Sequence, residues 1–240
     1  MTPRLRMLAG PNGSGKSTLA RQLTGDYAVN LYKFLNADML FAEIVQSHKT
    51  ACPFSLDNCE LLDFINSSTY PDECKAPFRK QAITIDEDDY LTFAPDAINS
   101  YTVAMTADFF KNEYLKRHLS FSFETVFSHP AKIEILKRAQ SLGFRTYMYF
   151  VATEDPQINL SRIRSRTKLG GHDVPEEKVT ARYYRCLEQV RHALLYLNRA
   201  YFFDNSTDQS IFFAEYEAGK RFQLFTPFVP DWFKHYLLGE

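Results

Sequence analysis

The residue types that could do chemistry are concentrated in one stretch near the start of the chain, GPNGSGKST. Gly10, Gly15, Lys16 and Ser17 satisfy the pattern G-x-x-x-x-G-K-[ST] in full. Glycines let the backbone turn its N–H groups toward an anion, the lysine reaches the β and γ phosphates, and the serine can ligate Mg²⁺. The stretch therefore predicts a loop that binds ATP or GTP. Its predicted nucleotide-binding residues are Gly10, Pro11, Asn12, Gly13, Ser14, Gly15, Lys16, Ser17 and Thr18.

Two carboxylates lie where predicted strands end, the position at which an open parallel sheet presents side chains to a ligand. Asp38 follows the apolar run of residues 31–35, and Glu124 and Thr125 follow the run of residues 119–123. Phosphoryl transfer to a hydroxyl needs a carboxylate that accepts the hydroxyl proton, and Asp38 is the candidate for it. Asp38 is equally compatible with a helix N-cap, and Glu124 with a carboxylate that complements a helix dipole. The residues alone leave these alternatives open.

Three arginines, Arg162, Arg164 and Arg166, lie on one predicted helix that ends before Gly170 and Gly171. Arg162 and Arg166 share a helix face, so both could point toward a triphosphate. Such arginines stabilise the charge that develops on a phosphoryl group during transfer, and the glycine pair could be the hinge of a lid. A solvent-exposed basic face is the simpler interpretation of the same residues.

Strands and helices alternate along most of the chain, which predicts a parallel sheet covered by helices. The predicted strands are residues 5–9, 31–35, 119–123, 145–152 and 200–203. The predicted helices begin near residues 17, 38, 95, 130, 156 and 175. After the last of these strands, residues 211–216 and 221–225 have the pattern of a hairpin. The predicted fold is therefore α/β, of the P-loop NTPase type, with a mostly parallel sheet and a C-terminal hairpin.

One stretch, residues 47–95, departs from this alternation. It contains Pro53, Pro71, the acidic run of residues 85–89 and little periodicity, so it is interpreted as an insertion or a substrate-facing subdomain. A chain of 240 residues is of a size that one buried core can accommodate. We therefore expect a single P-loop domain over residues 1–240 with this insertion.

The composition limits the partners. The formal net charge is -1, which gives no global attraction to nucleic acid or to an anionic membrane, so nucleic acid is disfavoured. No apolar run reaches the roughly 20 residues that span a bilayer, and we expect a cytoplasmic protein. The four cysteines fit reduced thiols. His48, Cys52, Cys59 and Cys74 could supply zinc ligands, but the lack of a CxxC pair favours ordinary thiols.

The glycine loop alone does not indicate which reaction the bound nucleotide undergoes. A motor-type ATPase needs a strand that ends in Asp-Glu to hold Mg²⁺, and the nearest match, ITIDE at residues 83–87, lies in the proline-containing stretch. A GTPase would need an NKxD element, which the sequence lacks. Three hypotheses remain: a small-molecule kinase, a nucleotide-dependent switch or ATPase without a small-molecule acceptor, and a kinase of nucleotides or RNA ends. For the last, only residues 162–168 suggest a basic channel.

Several motifs, taken in order, resemble the zeta-toxin family of P-loop kinases, in particular its chromosomal branch, often labelled predicted ABC-type ATPases. They are GPNGSGKST (10–18), NAD (36–38), SFETVFS (122–128), GGHDVPEEKV (170–179), RYYRCL (182–187) and FDNS (203–206). The resemblance covers about residues 4–45 and 95–210. It implies a kinase-like P-loop fold and a phosphotransferase that uses ATP and Mg²⁺.

Characterised zeta toxins phosphorylate the 3′ hydroxyl of the sugar in UDP-N-acetylglucosamine, so the resemblance implies a sugar-nucleotide acceptor and an antitoxin protein as partner. The residues that it assigns to catalysis are Lys16, Asp38, Arg162 and Arg166. Those that it assigns to the acceptor are Asp38, Glu124 and Thr125. It also assigns Asn205 to the nucleotide base and Ser17 to Mg²⁺.

The chain departs from the family pattern in two places. Where characterised toxins carry a second lid arginine, this sequence has His172 and Asp173. Arg182 or Arg185 could compensate from the next helix. Residues 47–95 match no segment of the family and lie where acceptor specificity would be determined.

Overall fold

The computed structural model describes residues 2–168 and 175–239. The chain divides into two compact units, the first made of Met1–Phe34 and Ser120–Glu240, the second of Leu35–Leu119. The strands are β1 (Arg4–Ala9), β2 (Lys33–Leu35), β3 (Lys49–Ala51), β4 (Ile83–Ile85), β5 (Tyr90–Phe93), β6 (Phe121–Thr125), β7 (Arg145–Ala152), β8 (Arg199–Asp204), β9 (Ile211–Glu217) and β10 (Gln223–Leu224). The α-helices are α1 (Lys16–Gly25), α2 (Ala37–Ser47), α3 (Asn58–Ser67), α4 (Asp72–Arg79), α5 (Ser100–Lys116), α6 (Ala131–Ser141), α7 (Pro156–Lys168), α8 (Glu176–Ala193) and α9 (Asp231–Phe233).

The larger sheet has the strand order β10-β9-β8-β7-β1-β6-β2. Strand β1 pairs in parallel with β6 and β7, and β7 pairs in parallel with β8. Strands β9 and β10 continue the sheet in antiparallel fashion. The predicted mostly parallel α/β sheet and its C-terminal hairpin are confirmed. Strand β7 is buried at all but its first residue, as is typical of a parallel strand covered on both faces.

One core cluster of the first unit forms where α1 packs on the sheet. Leu19 and Leu23 of α1 cluster with Leu8 of β1 and with Tyr149 and Val151 of β7. These apolar side chains fix α1 against the sheet, and therefore fix the loop that connects β1 to α1.

A charged side chain also lies in this sheet. Arg6 of β1 is buried, its Nη1 donates to the hydroxyl of Tyr149 at 2.6 Å, and its guanidinium carbon lies 4.6 Å from the centre of the Tyr147 ring. Stacking on aromatic faces is a mode of burial that suits arginine because its guanidinium is planar and weakly hydrated.

Within the first unit, the C-terminal segment packs on the sheet through its aromatic side chains. Trp232 is buried, with ring centroids 5.6 Å from Phe150 and 5.7 Å from Phe213. Its indole Nε1 donates to Oδ1 of Asp204, the last residue of β8, at 3.4 Å. The chain end therefore contacts the same edge of the sheet as the glycine loop. Within the described ranges no helix is long and apolar enough to cross a membrane.

The second unit contains a three-stranded antiparallel sheet of order β3-β5-β4 together with α2 to α5. Its core cluster includes Ile44, Leu61, Phe78, Leu91 and Phe109. The stretch of residues 47–95 lies inside this unit. It showed little periodicity because its strands are only three or four residues long, below the length at which alternation becomes visible.

The boundary of one predicted helix differs from the structure for a local reason. The helix predicted from Pro95 begins as a single 3₁₀ turn and restarts at Ser100, because Asn99 caps it by accepting from the backbone N–H groups of Tyr101 and Thr102. The helix predicted to begin near residue 175 runs from Glu176 to Ala193, and a 3₁₀ turn follows it.

Candidate active site

The glycine loop connects the carboxyl end of β1 to the first residue of α1. Gly15 has a φ of 96° and Gly13 a φ of 77°, the left-handed region that side chains disfavour. A Cβ at Gly13 would lie 2.6 Å from the carbonyl oxygen of Asn159, and one at Gly15 would collide with the side-chain amide of Asn205. Both glycines are required by backbone conformation and by close packing.

Lys16 and Ser17 occupy the first turn of α1 and face the end of the neighbouring strand β6. The Lys16 ammonium donates to the carbonyl oxygen of Pro11 at 2.9 Å and lies 3.9 Å from Oε1 of Glu124. The Ser17 hydroxyl donates to Oε2 of Glu124 at 3.2 Å. Leu8 is the register partner of Glu124, so the pairing of β1 with β6 sets this arrangement.

The loop residues fit a nucleotide phosphate. The Lys16 side chain is 7% exposed, so its charge acts in a medium that water screens poorly. The N-terminus of α1 adds partial positive charge. Within the described residues, the buried Ser14 Oγ and Asn12 Oδ1 have no hydrogen-bond partner. Such groups require a partner, which a bound ligand or its water can supply.

Oxygen atoms that suit Mg²⁺ lie beside the loop, namely the Ser17 hydroxyl and the Glu124 carboxylate. The part of the chain that the structure describes contains no cluster of three or more His, Cys, Asp or Glu side chains arranged for a metal.

The Lys16 charge also reaches the buried thiol of Cys186 on α8. Burial raises the pKa of that thiol, and Lys16 lowers it in part.

Two asparagine side chains donate hydrogen bonds to backbone carbonyls of the glycine loop. The Asn159 side chain on α7 donates to the carbonyl oxygen of Asn12 at 2.7 Å, and its Oδ1 accepts from the Thr153 hydroxyl. Asn205, directly after β8, donates to the carbonyl oxygen of Ser14 at 2.8 Å. The family resemblance had assigned Asn205 to the nucleotide base and not to this contact with the loop, and Asn159 was not predicted at all. The available signal was an asparagine one turn before Arg162 on the same helix face.

The three arginines of α7 have different surroundings. The Arg162 guanidinium donates to the carbonyl oxygens of Asn205 and Thr207. Arg164 is exposed and pairs with Glu176 of α8 at 2.6 Å. Arg166 lies exposed in the last turn of α7. The predicted hinge at residues 170 and 171, with His172 and Asp173, lies outside the described residues.

Asp38 belongs to the second unit, where it is exposed in the first turn of α2. The cap of this helix is Asn36, whose Oδ1 accepts from the backbone N–H groups of Asp38 and Met39 at 2.9 and 3.1 Å. The Asp38 carboxylate therefore does not serve as the N-cap that the sequence left open. Thr125, at the end of β6, accepts from the N–H of Phe127 at 3.3 Å.

Comparison with known proteins supports the fold. No model of a known protein family matches the chain. A chain from the PezAT chromosomal toxin–antitoxin system of Streptococcus pneumoniae is 12% identical, with a TM-score of 0.50 over 88% of this chain and 70% of that one. A chain from the AvrRxo1-ORF1:-ORF2 complex with ATP is 16% identical, with a TM-score of 0.53 over 93% of this chain and 60% of that one. The chain shares the fold of these two chains, which supports the kinase-like α/β fold of the P-loop NTPase type that the sequence predicted.

A protein of Haemophilus influenzae described as uncharacterized is 35% identical over 69 residues, which are 29% of this chain and 49% of that protein. The present chain thus matches about half of the Haemophilus protein and less than two thirds of the AvrRxo1 chain.

Proposed function

We propose that the protein is an ATP-dependent phosphotransferase, a zeta-toxin-like kinase that transfers the γ-phosphoryl group to a hydroxyl of a small molecule. The observation that carries the proposal is the contact of Glu124 with both Lys16 and Ser17 at the glycine loop. A buried lysine, a serine and a carboxylate at one strand edge are the groups that phosphoryl transfer uses to hold phosphates and metal.

When bound, ATP with Mg²⁺ would supply the γ-phosphoryl group that is transferred to the acceptor oxygen, and ADP would be the leaving group. Lys16 would bind the phosphates by charge, and the loop N–H groups would orient them. Ser17 and Glu124 would hold the metal. Asp38 takes the proton of the acceptor hydroxyl, Thr125 and Glu124 orient the acceptor, and Arg166 or Arg162 stabilises the transferring group. Positioning and electrostatics supply most of the rate in such a mechanism.

The acceptor that we propose is a UDP-activated amino sugar, with UDP-N-acetylglucosamine as the first compound to test. The proposal rests on the motifs shared with zeta toxins. A protein antitoxin is the partner that we propose, and it is supported by the similarity to a chain of the PezAT toxin–antitoxin system.

Phosphorus NMR of the protein with ATP, Mg²⁺ and UDP-N-acetylglucosamine tests the proposal. We expect a new phosphomonoester signal from the wild type. Lys16→Ala should abolish it, and Asp38→Asn should depress turnover while leaving ATP binding largely intact. Asp63→Asn, an exposed carboxylate of α3 in the same unit, is the matched control and should retain full activity.

Other outcomes distinguish the alternatives. Hydrolysis of ATP that no added metabolite changes would support a nucleotide-dependent switch or ATPase. Phosphate transfer to a nucleotide or an RNA 5′ end, with the sugar nucleotide untouched, would support a nucleotide or RNA kinase. Normal turnover by Asp38→Asn would remove that residue from the role of base.

A further inference from the structure

One face of α7 contacts both the glycine loop and the turn that follows β8. Asn159, Arg162 and Arg166 follow each other at intervals of three and four residues, so they share this face. Asn159 binds the loop directly, through the carbonyl oxygen of Asn12. Arg162 lies one turn further along and reaches a different segment, the turn that follows β8.

The Arg162 guanidinium donates hydrogen bonds to two backbone carbonyls of that turn. Its Nη1 donates to the carbonyl oxygen of Asn205 at 2.8 Å, and its Nη2 to that of Thr207 at 3.0 Å. Hydrogen bonds from an ionised donor are stronger than neutral ones, and the planar fork of arginine fixes both acceptors in one geometry. Arg162 therefore fixes two carbonyls of the Asn205–Thr207 turn, alongside the hydrogen bonds that Ser206 makes with Asp204 and with the backbone N–H of Glu154.

The turn of residues 205–207 contacts the glycine loop through Asn205. The Asn205 backbone N–H donates to the carbonyl oxygen of Ala152 at 2.8 Å, which anchors the residue to the end of β7. The Asn205 side chain donates to the carbonyl oxygen of Ser14 at 2.8 Å, directly before Gly15 and Lys16. Its amide nitrogen fills the space that a Cβ at Gly15 would occupy. A displacement of Asn205 would therefore displace the Ser14–Gly15 peptide.

We propose that Arg162 is a positioning residue of the phosphate-binding loop, acting through Asn205 on the carbonyl of Ser14. With that carbonyl held outward, the N–H groups of the loop stay turned toward the phosphates before nucleotide arrives. This role differs from the lid role, in which the arginine contacts the transferring phosphoryl group itself. The inference rests on the proposed function in that the ligand of the loop is a nucleotide.

Calorimetric titration with ADP and with a non-hydrolysable ATP analogue separates the two roles, because ADP lacks the γ-phosphoryl group. Arg162→Gln should weaken both ligands by roughly tenfold, the loss expected when charge-assisted hydrogen bonds are removed. The double variant R162Q/N205A should bind no more weakly than Asn205→Ala alone, since both changes break one chain of contacts. Arg164→Gln, whose partner is Glu176, should bind as the wild type does.

A second measurement, NMR of the free protein, reports the conformation of the glycine loop without nucleotide. In the free protein, Arg162→Gln and Asn205→Ala should shift the backbone amide resonances of Gly13 and Gly15 in the same direction, and Arg164→Gln should leave them unchanged. Arg162→Lys retains the charge and one donor, so it should restore part of the affinity. This variant also replaces Arg162→Gln if the glutamine protein does not fold.

Three results would overturn the proposal: ADP affinity that Arg162→Gln leaves unchanged while transfer slows, affinity losses that add in the double variant, or loop resonances that do not move. A wild-type protein that binds neither nucleotide would count against the proposed function instead. The amide resonances would still decide whether Arg162 positions the loop.

Discussion

Glu124 accepts from Ser17 and lies beside Lys16, so its carboxylate contacts both groups that a bound nucleotide and its metal would use. Glu124→Gln keeps the shape of this side chain and removes its charge. We expect the apparent affinity for Mg²⁺ in the transfer reaction to fall by roughly tenfold or more, as when a partner of a metal ligand is lost. Titration of activity against Mg²⁺ measures this.

The matched control is Glu134→Gln, an exposed carboxylate on α6, which should leave the Mg²⁺ dependence unchanged. If Glu124→Gln instead raised KM for the acceptor at an unaltered Mg²⁺ dependence, Glu124 would belong to the acceptor and not to the metal.

Tyr149 gives a prediction for alkaline conditions. Burial raises the pKa of its hydroxyl to about 12, against the opposing effect of the Arg6 charge. Because the pKa is higher in the folded than in the unfolded chain, its contribution to stability is fully present below about pH 10 and is lost as pH rises toward 12. The difference in free energy of unfolding between the wild type and Tyr149→Phe should therefore shrink by about 2 kcal/mol over this interval. Urea unfolding at a series of pH values tests it, and a constant difference would contradict it.

At the scale of elements, the loop between β1 and α1 depends on its glycines unequally. Gly15→Ala forces a side chain into the left-handed region and against Asn205, so nucleotide affinity should fall at least tenfold, about 1.4 kcal/mol. Gly25→Ala, at the end of the same helix, meets nothing within 4 Å and should stabilise the protein by roughly 0.5 to 1 kcal/mol. Calorimetric binding and thermal unfolding of both variants check the contrast. A Gly15→Ala protein with normal affinity would show that the loop tolerates a Cβ.

Which elements the sequence could predict depended on the length of their patterns. The strand of residues 145–152 was predicted to the residue, because it is a long apolar run ending in the turn before Pro156. Strands β3, β4 and β5 have only three or four residues each, too few for local periodicity to reveal them, and β3 pairs with a strand far along the chain, Lys49 with Thr92.

The candidate site, like the secondary-structure elements, was predictable only where its pattern is local in the sequence. The spacing of Gly10, Gly15, Lys16 and Ser17 encodes the glycine loop locally. The contact of Ser17 with Glu124 required knowing that β6 is the neighbour of β1, and sheet order is not a local property. The contact of Arg162 with the carbonyls of Asn205 and Thr207 depends on backbone oxygens, which every residue possesses and no motif records.

At the scale of the whole molecule, each compact unit has a core cluster built from its own residues. Phe109, fully buried in the second unit, should cost about 3 to 5 kcal/mol of stability when replaced by alanine. We expect the loss of amide hydrogen-exchange protection in Phe109→Ala to concentrate in residues 35–119. Phe150→Ala, in β7, is the matched change in the first unit and should concentrate the loss there. Equal loss across the chain in both variants would mean that residues 1–240 unfold as the single domain expected from the sequence.

The chain has one tryptophan, Trp232. Its indole donates a hydrogen bond to Asp204, and the next residue, Asn205, binds the glycine loop through its side chain. Its emission under ultraviolet excitation arises from a single buried indole next to a carboxylate, so no other tryptophan contributes to the signal. Movement of residues 204–207 changes the field and the packing around that indole. A nucleotide that displaces Asn205 on binding the glycine loop should therefore change the intensity or wavelength of the intrinsic fluorescence, so that binding can be followed in real time without a label.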